Sequence, residues 1–283
     1  MDEPSTAAAQ SGAPVVLGVV GQPDVAARSL SPVMHGAAIA KLGLNAYYVP
    51  LAVRERAIRK ALRGLPRLGF RGVNVTMPYK PVAAEVADTR SDVVERSGVA
   101  NTLVIDEHGR IHAESTDGLG VVEAIRARGS SLEGAEIVLI GAGGAATEVA
   151  HALCAAGAGR LHLWNRTLER AEQLAETLQR VFPAQGIEVH TDVPIHVPAH
   201  VLASAIPHEA AAELELTGIR PETLVVDLAY RTDRQPTALV EAAQIRGAAC
   251  VDGREVLVRQ GAASFRLWFG IEPPTEVMHS AVR

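Results

Sequence analysis

Three small residues at fixed spacing follow an apolar run in the middle of the chain. Gly141, Gly143 and Ala146 come directly after Ile137–Ile140 and lead into a segment of helical periodicity. The first glycine allows a tight turn, the second lets the backbone approach a pyrophosphate, and the alanine permits close packing of helix on strand. The helix N-terminus would offer unpaired N–H groups to phosphates. The pattern favours a dinucleotide site over a tight turn without a ligand. The loop residues predicted to bind the cofactor are Gly141, Gly143, Gly144 and Ala145.

The end of the next apolar run indicates which dinucleotide would bind. An NAD-binding chain usually carries Asp or Glu there, about 20 residues on. This chain carries Asn165, Arg166 and Thr167, with Arg170 one turn later. A charge-assisted hydrogen bond contributes about 1.5–3 kcal/mol, so Arg166 would favour NADP by roughly ten- to hundredfold. For Arg170, a solvated helix face paired with a nearby glutamate is an equally good interpretation.

Four further motifs combine hydroxyl, amide, ammonium and carboxylate side chains. A lysine can take the proton of a secondary alcohol as hydride leaves, if partial burial lowers its pKa and a carboxylate orients it. Asn74 and Thr76 are two apart on a predicted strand and so face one side, and their loop delivers Lys80 near a helix start. No Ser-His-Asp order, His-rich metal spacing or Walker lysine competes, and no metal is expected. The motifs are Ser29-Leu30-Ser31-Pro32-x-Met34-His35, Asn74-Val75-Thr76-x-Pro78-x-Lys80, Asn101-Thr102-Leu103 and Thr116-Asp117-Gly118-x-Gly120.

Strands and helices that would position these residues follow from hydrophobic periodicity. A helix is predicted with Ser31 as N-cap, Pro32 at its first position and Gly43 just after its end. The chain from Asp252 is predicted to be helical as far as Pro273-Pro274. From about Ile137 onward, predicted strands and helices alternate in the order typical of a doubly wound parallel sheet. Predicted strands are 15–20, 46–51, 72–76 and 102–105, then 137–140, 161–164, 201–206, 223–228 and 248–251, with helices at 145–156, 168–181 and 237–246.

Composition sets the class of protein. At about 150 residues per domain, 283 residues predict two domains. The net charge of −5 gives no footprint for nucleic acid, and no uncharged stretch predicts a membrane span. Cys154 and Cys250 stand alone, and the N-terminus lacks the pattern of a signal peptide, so we expect a cytoplasmic protein. Residues 1–14 are predicted to form a disordered tail.

Taken together, the motifs resemble the shikimate dehydrogenase family. The four polar motifs, the Gly141 loop, Asn165-Arg166-Thr167 and Gln260…Ser264-Phe265…Trp268 occur in the family's order, and the resemblance covers about Val16 to Ile271. It implies reversible hydride transfer between NADP(H) and 3-dehydroshikimate/shikimate, in aromatic amino acid biosynthesis. It also implies an α/β fold, with a Rossmann-type doubly wound nucleotide domain and a smaller α/β substrate domain completed by the C-terminal helices.

The resemblance also implies a division of the chain and a set of residue roles. Residues 15–116 and 253–283 would form the substrate-binding, catalytic domain, and 117–252 the NADP-binding domain. Lys80 and Asp117 would be the catalytic pair. The partner would be a small-molecule substrate, with no nucleic acid and no membrane, and a homodimer is one candidate assembly. The residues implied to hold the hydroxyls and carboxylate of the substrate are Ser29, Ser31, Thr76, Asn101, Tyr230 and Gln260.

Simpler structural interpretations compete at several positions. Ser31 and Asp117 could be helix N-caps, and Lys80 could be an ordinary exposed charge at a helix start. Phe265 and Trp268 are predicted to be core residues. His196 and His200 flank Pro198, so they cannot share a regular helix face, and a zinc site made by them is not expected.

Departures from the family pattern concern the substrate more than the chemistry. Arg28 precedes Ser29 on a longer turn, Ser115 precedes the Thr-Asp-Gly motif, and Ser204-Ala205-Ile206-Pro207 replaces the usual Asn-Ala-Thr. Quinate or an aminated shikimate therefore remains an alternative substrate. An alternative of another class is a non-catalytic dinucleotide sensor, which would have no need of a proton-transfer pair.

Overall fold

The computed structural model describes residues 13–193, 196–216 and 218–283, so the predicted tail lies outside the described residues except for Ala13 and Pro14. The described chain forms two compact units. The first contains the residues up to Ser91, Ala100–Glu114 and Ser264–Arg283, and the second contains Asp92–Val99 and Ser115–Ala263. Among the described helices, none combines the length and apolar character needed to cross a bilayer.

Strands of the two units form two separate sheets. The first sheet has the order β2-β1-β3-β5-β6-β4, and the second has the order β12-β11-β10-β7-β8-β9. The strands are β1 (Val15–Gly21), β2 (Ala46–Ala52), β3 (Phe70–Val75), β4 (Thr89–Arg90), β5 (Thr102–Ile105), β6 (Ile111–Glu114), β7 (Glu136–Ile140), β8 (Arg160–Trp164), β9 (Gly186–His190), β10 (Val201–Ser204), β11 (Leu224–Asp227) and β12 (Cys250–Val251).

The helices connect these strands and cover the sheets. Two short 3₁₀ turns, Glu55–Ala57 and Pro66–Leu68, lie in the first unit. The α-helices of the described residues are α1 (Pro23–Arg28), α2 (Ser31–Lys41), α3 (Ile58–Gly64), α4 (Lys80–Val86), α5 (Asp92–Ser97), α6 (Asp117–Ala127), α7 (Gly144–Ala155), α8 (Leu168–Val181), α9 (His208–Ala211), α10 (Ala238–Ile245), α11 (Gly253–Phe269) and α12 (Thr275–Val282).

The first sheet is mixed. β1 runs parallel to both β2 and β3, whereas β5 runs antiparallel to both β3 and β6. Gly18 in β1 is required because a Cβ atom there would lie 2.6 Å from the backbone oxygen of Val49. Trp268 packs against β3 in the same way, since a Cβ on Gly72 would lie 2.2 Å from its Nε1. Trp268 and Phe265 are fully or nearly buried, which confirms their prediction as core residues.

The second sheet is parallel throughout. In the numbering of this unit alone, its order is 3-2-1-4-5-6 reversed, which is the doubly wound order with a switch point between β7 and β10. One face packs Leu139 and Leu163 against Val149 of α7, and the other packs Val138 against Leu239 of α10. The predicted fold class is confirmed.

Several local predictions match the structure and others fail. Gly43 ends α2 as predicted: it has φ of +62°, and Leu44 N–H bonds to Ile39 O at 3.1 Å while Gly43 N–H bonds to Ala40 O at 3.2 Å. The N-cap prediction for Ser31 is wrong, because α2 already begins at Ser31 and Leu30 is its N-cap. Strands β4, β6 and β9 were not predicted.

Candidate active site

Lys80 begins α4, directly after the turn that leaves β3. The turn is fixed by the backbone: Val75 N–H bonds to Asn101 O at 2.8 Å, and Thr76 N–H bonds to Val20 O at 2.9 Å. Lys80 O accepts from Ala100 N–H at 3.1 Å, so the strand pair β3–β5 also fixes the helix start. The lysine is only 5% exposed. The interpretation of Lys80 as an ordinary exposed charge is therefore wrong.

This burial sets Lys80 apart from the other lysines of the protein. The chain has three lysines, and Lys41 and Lys60 are both exposed. Almost every other cation is arginine, which stays protonated at any working pH and cannot exchange a proton. Lys80 is thus a buried cationic residue of the type that can give and take a proton.

A network of buried polar side chains lies beside this turn. Asn74 Nδ2 donates to Thr102 Oγ1 at 3.0 Å and to Ser264 Oγ at 2.9 Å, and Asn74 Oδ1 accepts from Tyr48 O–H at 2.8 Å. Asn101 Oδ1 accepts from the Thr102 hydroxyl at 3.1 Å. The network joins β2, β3, β5 and α11, and it places Asn101, one of the predicted substrate residues, at 3% exposure.

Of the two serines in the first motif, Ser29 bonds through its hydroxyl to the backbone at the start of α2. Ser29 Oγ accepts from the Ser31 N–H at 3.2 Å, so Ser29 stabilises the start of α2. Ser31 is 5% exposed. Arg28 is exposed, with its Nε donating to the backbone oxygen of Asp24 at 3.2 Å.

His35 is a buried member of the same motif with an apolar environment. Its ring stacks on Tyr48 at 4.4 Å between centroids and lies 5.4 Å from Trp268. The side chain is 0% exposed, and neither ring nitrogen has a hydrogen-bond partner among the described residues. Burial lowers the pKa of His35 to about 3, so the ring is neutral at neutral pH.

Asp117 and Gln260 lie in the second unit. Asp117 is the first residue of α6 and is half-buried, while the N-cap is Thr116, so the N-cap interpretation of Asp117 is wrong. Gln260 in α11 is 7% exposed and accepts from Thr116 O–H at 3.4 Å. Gly120 permits this close approach of α6 and α11, because a Cβ there would lie 2.8 Å from Gln260 N.

The glycine loop lies at the switch point, where β7 ends and α7 begins. Gly141 has φ of +119° and faces Ile206, so the protein itself requires glycine there. Gly143 differs: it is exposed, and a Cβ atom on it would meet no described atom within 4 Å. The first turn of α7, all of it described, has no acidic side chain. The loop therefore leaves free space at a positive helix end, which fits a pyrophosphate.

The end of β8 is tied to the same loop. Asn165 Oδ1 accepts from Ala142 N–H at 3.2 Å, and Asn165 Nδ2 donates to Thr167 O at 2.8 Å. These bonds fix the turn on which Arg166 and Thr167 are exposed. Within the described chain neither Arg166 nor Arg170 forms an ion pair, so the pairing of Arg170 with a glutamate is not observed. Two guanidinium groups and a hydroxyl are available here for a phosphate.

The ends of β10 and β11 carry two buried polar side chains. Ser204 and Asp227 are register partners. The Ser204 hydroxyl is buried without a hydrogen-bond partner among the described residues. Asp227 accepts from Thr237 O–H at 2.5 Å and from Ala229 N–H at 3.0 Å, yet burial raises the pKa of its carboxyl to about 6. Tyr230 follows three residues later and is half-buried.

A parallel doubly wound sheet with a glycine turn at its switch point defines a dinucleotide-binding α/β protein of the Rossmann type. Comparison with known proteins narrows this class. Three family models match the chain: "Shikimate dehydrogenase substrate binding domain" over residues 19–103, "Shikimate / quinate 5-dehydrogenase" over 123–231, and "Shikimate 5'-dehydrogenase C-terminal domain" over 253–283.

Whole-chain relatives agree with these models. Proteins named shikimate dehydrogenase (NADP(+)) from Rubrobacter xylanophilus and Caulobacter vibrioides are each 39% identical over 274 residues, covering 94% of this chain and 95% and 94% of theirs. The crystal structure of shikimate 5-dehydrogenase from Thermus thermophilus in complex with NADP(H) and shikimate has a TM-score of 0.82 at 34% identity, covering 95% of this chain and 98% of that one. The chain belongs to the shikimate dehydrogenase family, which confirms the predicted resemblance.

Proposed function

We propose that the protein is an NADP-dependent shikimate dehydrogenase that transfers hydride reversibly between NADPH and 3-dehydroshikimate. The observation that carries the proposal is the burial of Lys80 at the start of α4 in a member of this family. A sensor would gain nothing from a buried lysine of this kind, because a proton-transfer group serves only a reaction. NADP(H), when bound, supplies or accepts the hydride.

Lys80 takes the proton from the alcohol oxygen as shikimate is oxidised, and returns it to the carbonyl oxygen in the reverse direction. The carbon that bears this oxygen loses hydride while the oxygen loses its proton. The two transfers together convert C–OH to C=O. In this proposal Asp117 orients the lysine and shares its proton. That pairing rests on the family motif, since the two residues belong to different units.

Polar groups of the first unit would hold the ring substituents of the substrate. Ser29 keeps its hydroxyl proton for donation, because its oxygen is the acceptor of the Ser31 N–H. Ser31 and Thr76 offer further hydroxyls, and the network around Asn74 holds the Asn101 side chain in place. Tyr230 and Gln260 of the second unit complete the proposed set.

The cofactor would lie along the carboxyl ends of the second sheet. The N–H groups of Gly143, Gly144 and Ala145 would receive the pyrophosphate, and Arg166, Thr167 and Arg170 would bind the 2′-phosphate. Asn165 acts chiefly by fixing the turn, since its side-chain oxygen and nitrogen both form hydrogen bonds within the protein.

Quinate is the alternative substrate, because the family model that matches residues 123–231 is named for both shikimate and quinate. Steady-state rates should be measured with shikimate, quinate and aminoshikimate, each with NADP and with NAD. We expect the highest kcat/KM for shikimate with NADP. A higher kcat/KM for quinate would transfer the assignment to that substrate, and absence of turnover with every combination would refute the enzyme assignment.

A further inference from the structure

Two strands at the edge of the second sheet bring histidine and glutamate side chains together. β8 and β9 are parallel neighbours, with His162 opposite Glu188 and Trp164 opposite His190. Because side chains alternate along a strand, Glu188 and His190 share one face with His162. The alternate residues, Leu161 and Leu163 of β8 and Ile187 and Val189 of β9, pack into the apolar core on the other face.

The distances among the three side chains are close to those of ligands around one metal ion. His162 Nδ1 lies 2.9 Å from His190 Nε2, and Glu188 Oε2 lies 3.6 Å from His162 Nδ1. Glu188 Oε1 lies 3.7 Å from His190 Nε2. Tetrahedral zinc with ligands at about 2.0–2.2 Å places neighbouring ligand atoms roughly 3.3–3.5 Å apart. Small side-chain adjustments would therefore bring all three to one ion, and one ligand atom from each already lies within 4.8 Å of the others.

A second carboxylate orients one of the histidines from behind. Glu136 of β7 lies 2.7 Å from His162 Nε2, so the ring has its other nitrogen, Nδ1, turned toward the cluster. In metal-binding histidines, the ring nitrogen that does not bind the metal commonly forms a hydrogen bond of this kind to a carboxylate. This partner is what distinguishes the group from a chance meeting of surface side chains.

The charge of the cluster also favours a cation. Glu136 and Glu188 contribute two negative charges, and Arg160, which lies 3.6 Å from Glu136 and 3.7 Å from Glu188, contributes one positive charge.

We propose that His162, Glu188 and His190 form a binding site for a divalent cation such as zinc. Glu136 orients the ring of His162 in this site. Two imidazole nitrogens and one carboxylate suit zinc, cobalt or nickel, whereas magnesium prefers oxygen ligands and retains its waters. Three protein ligands leave a fourth position for water. The ion would join the edge strand β9 to β8, next to the turn that carries Arg166.

The test is calorimetric titration of ZnCl₂ into the tag-free, full-length protein, without substrate or dinucleotide. We expect one saturable site, and no comparable binding of MgCl₂. Glu188→Ala, which alters an exposed side chain, and His190→Ala should each abolish the saturable binding. Glu136→Gln should keep the stoichiometry and weaken the affinity about 10- to 100-fold.

His108→Ala is the matched control, since His108 forms an exposed pair with Glu107 at 3.7 Å in the first unit. It should bind zinc as the unaltered protein does. Zinc should also raise the melting temperature of the unaltered protein and of His108→Ala, but not that of Glu188→Ala. Absence of saturable binding to the unaltered protein, or equal binding by Glu188→Ala, would overturn the proposal and leave His162 and His190 as a hydrogen-bonded pair.

Discussion

Several candidate functional residues differ in exposure between the two units. In the first unit Lys80, Asn101 and Ser31 are at most 5% exposed, and Asn101 belongs to a buried network. In the second unit Gly143, Arg166 and Arg170 are exposed at the ends of β7 and β8. The first arrangement resembles the interior of a protein, and the second resembles a surface prepared for an anion.

This difference has a physical cause. A small polyol differs from its competitors by single hydroxyl groups, and buried polar groups discriminate strongly because an unmatched one stays unpaired. A dinucleotide offers phosphates, which backbone N–H groups and guanidinium groups can bind at a surface. Changes at the buried residues Lys80 and Asn101 should therefore affect turnover or folding, and changes at the exposed Arg166 and Arg170 should affect cofactor choice.

Lys80→Ala should have the largest effect. Removing a proton-transfer group lowers the rate by about 10²- to 10⁴-fold, so kcat for shikimate should fall by that factor while NADP still binds. Steady-state kinetics and NADP titration measure the two quantities. Lys60→Ala, which removes an exposed lysine of the same unit, is the control and should retain normal kcat. An unchanged kcat in Lys80→Ala would show that another group moves the proton.

Asn74→Ala should destabilise the protein more than Asn165→Ala. The first change leaves Tyr48, Thr102 and Ser264 without their shared partner in a buried site, at a cost of about 3 kcal/mol. The second removes two bonds at a half-exposed turn, at a cost of about 1 kcal/mol. Urea unfolding gives both values. Equal losses would contradict the contrast between the two units.

Two buried groups should give the units opposite responses to pH. In the folded protein His35 has a pKa of about 3, against an ordinary value of 6.5. Its contribution to the free energy of unfolding is therefore complete above pH 6.5 and is lost as the pH falls. At pH 5 the loss amounts to about 2 kcal/mol. Asp227 has a folded pKa of about 6 against 3.8, so it favours the folded state most below pH 3.8, and about 3 kcal/mol is lost as the pH rises to 6.

Unfolding free energies of the unaltered protein, His35→Leu and Asp227→Asn between pH 4 and 8 would separate these contributions. The unfolding free energy of the unaltered protein minus that of His35→Leu should decrease as the pH falls. The unfolding free energy of the unaltered protein minus that of Asp227→Asn should decrease as the pH rises. Parallel pH curves would mean that neither group is buried in the form described.

Arg166→Asp should have the smallest effect on stability and a selective effect on cofactor use. It should reduce the preference for NADP over NAD by at least about ten- to hundredfold, because it removes a charge-assisted bond and adds a repelling carboxylate. The ratio of kcat/KM with the two cofactors measures this preference. Arg180→Asp changes an exposed arginine at the other end of α8 and should leave the ratio unchanged. An unaltered NADP KM in Arg166→Asp would place the 2′-phosphate elsewhere.

Local patterns explain which features could be predicted from sequence. The loop from Gly141 to Ala146 and the boundaries of α8 depend on neighbouring residues, and both were predicted closely. The partners of Asn74 come from positions as far away as Ser264, 190 residues along the chain, so no local pattern reveals them. β9 was missed because Glu188 and His190 interrupt the run of apolar residues in its sequence, and with it the cluster at His162 was missed. Ser31 was placed one residue outside its helix, since the sequence Ser-Pro is compatible with either register.

Transfer of labelled hydride from NADPH is a direct test of the proposed reaction. NADPH carrying deuterium at the transferable position of its nicotinamide should be incubated with 3-dehydroshikimate and the purified protein, and the product analysed by mass spectrometry. We expect shikimate containing one deuterium, formed by the unaltered protein and by Lys60→Ala, and at a greatly reduced rate by Lys80→Ala. Absence of labelled shikimate with the unaltered protein would refute the proposed hydride transfer.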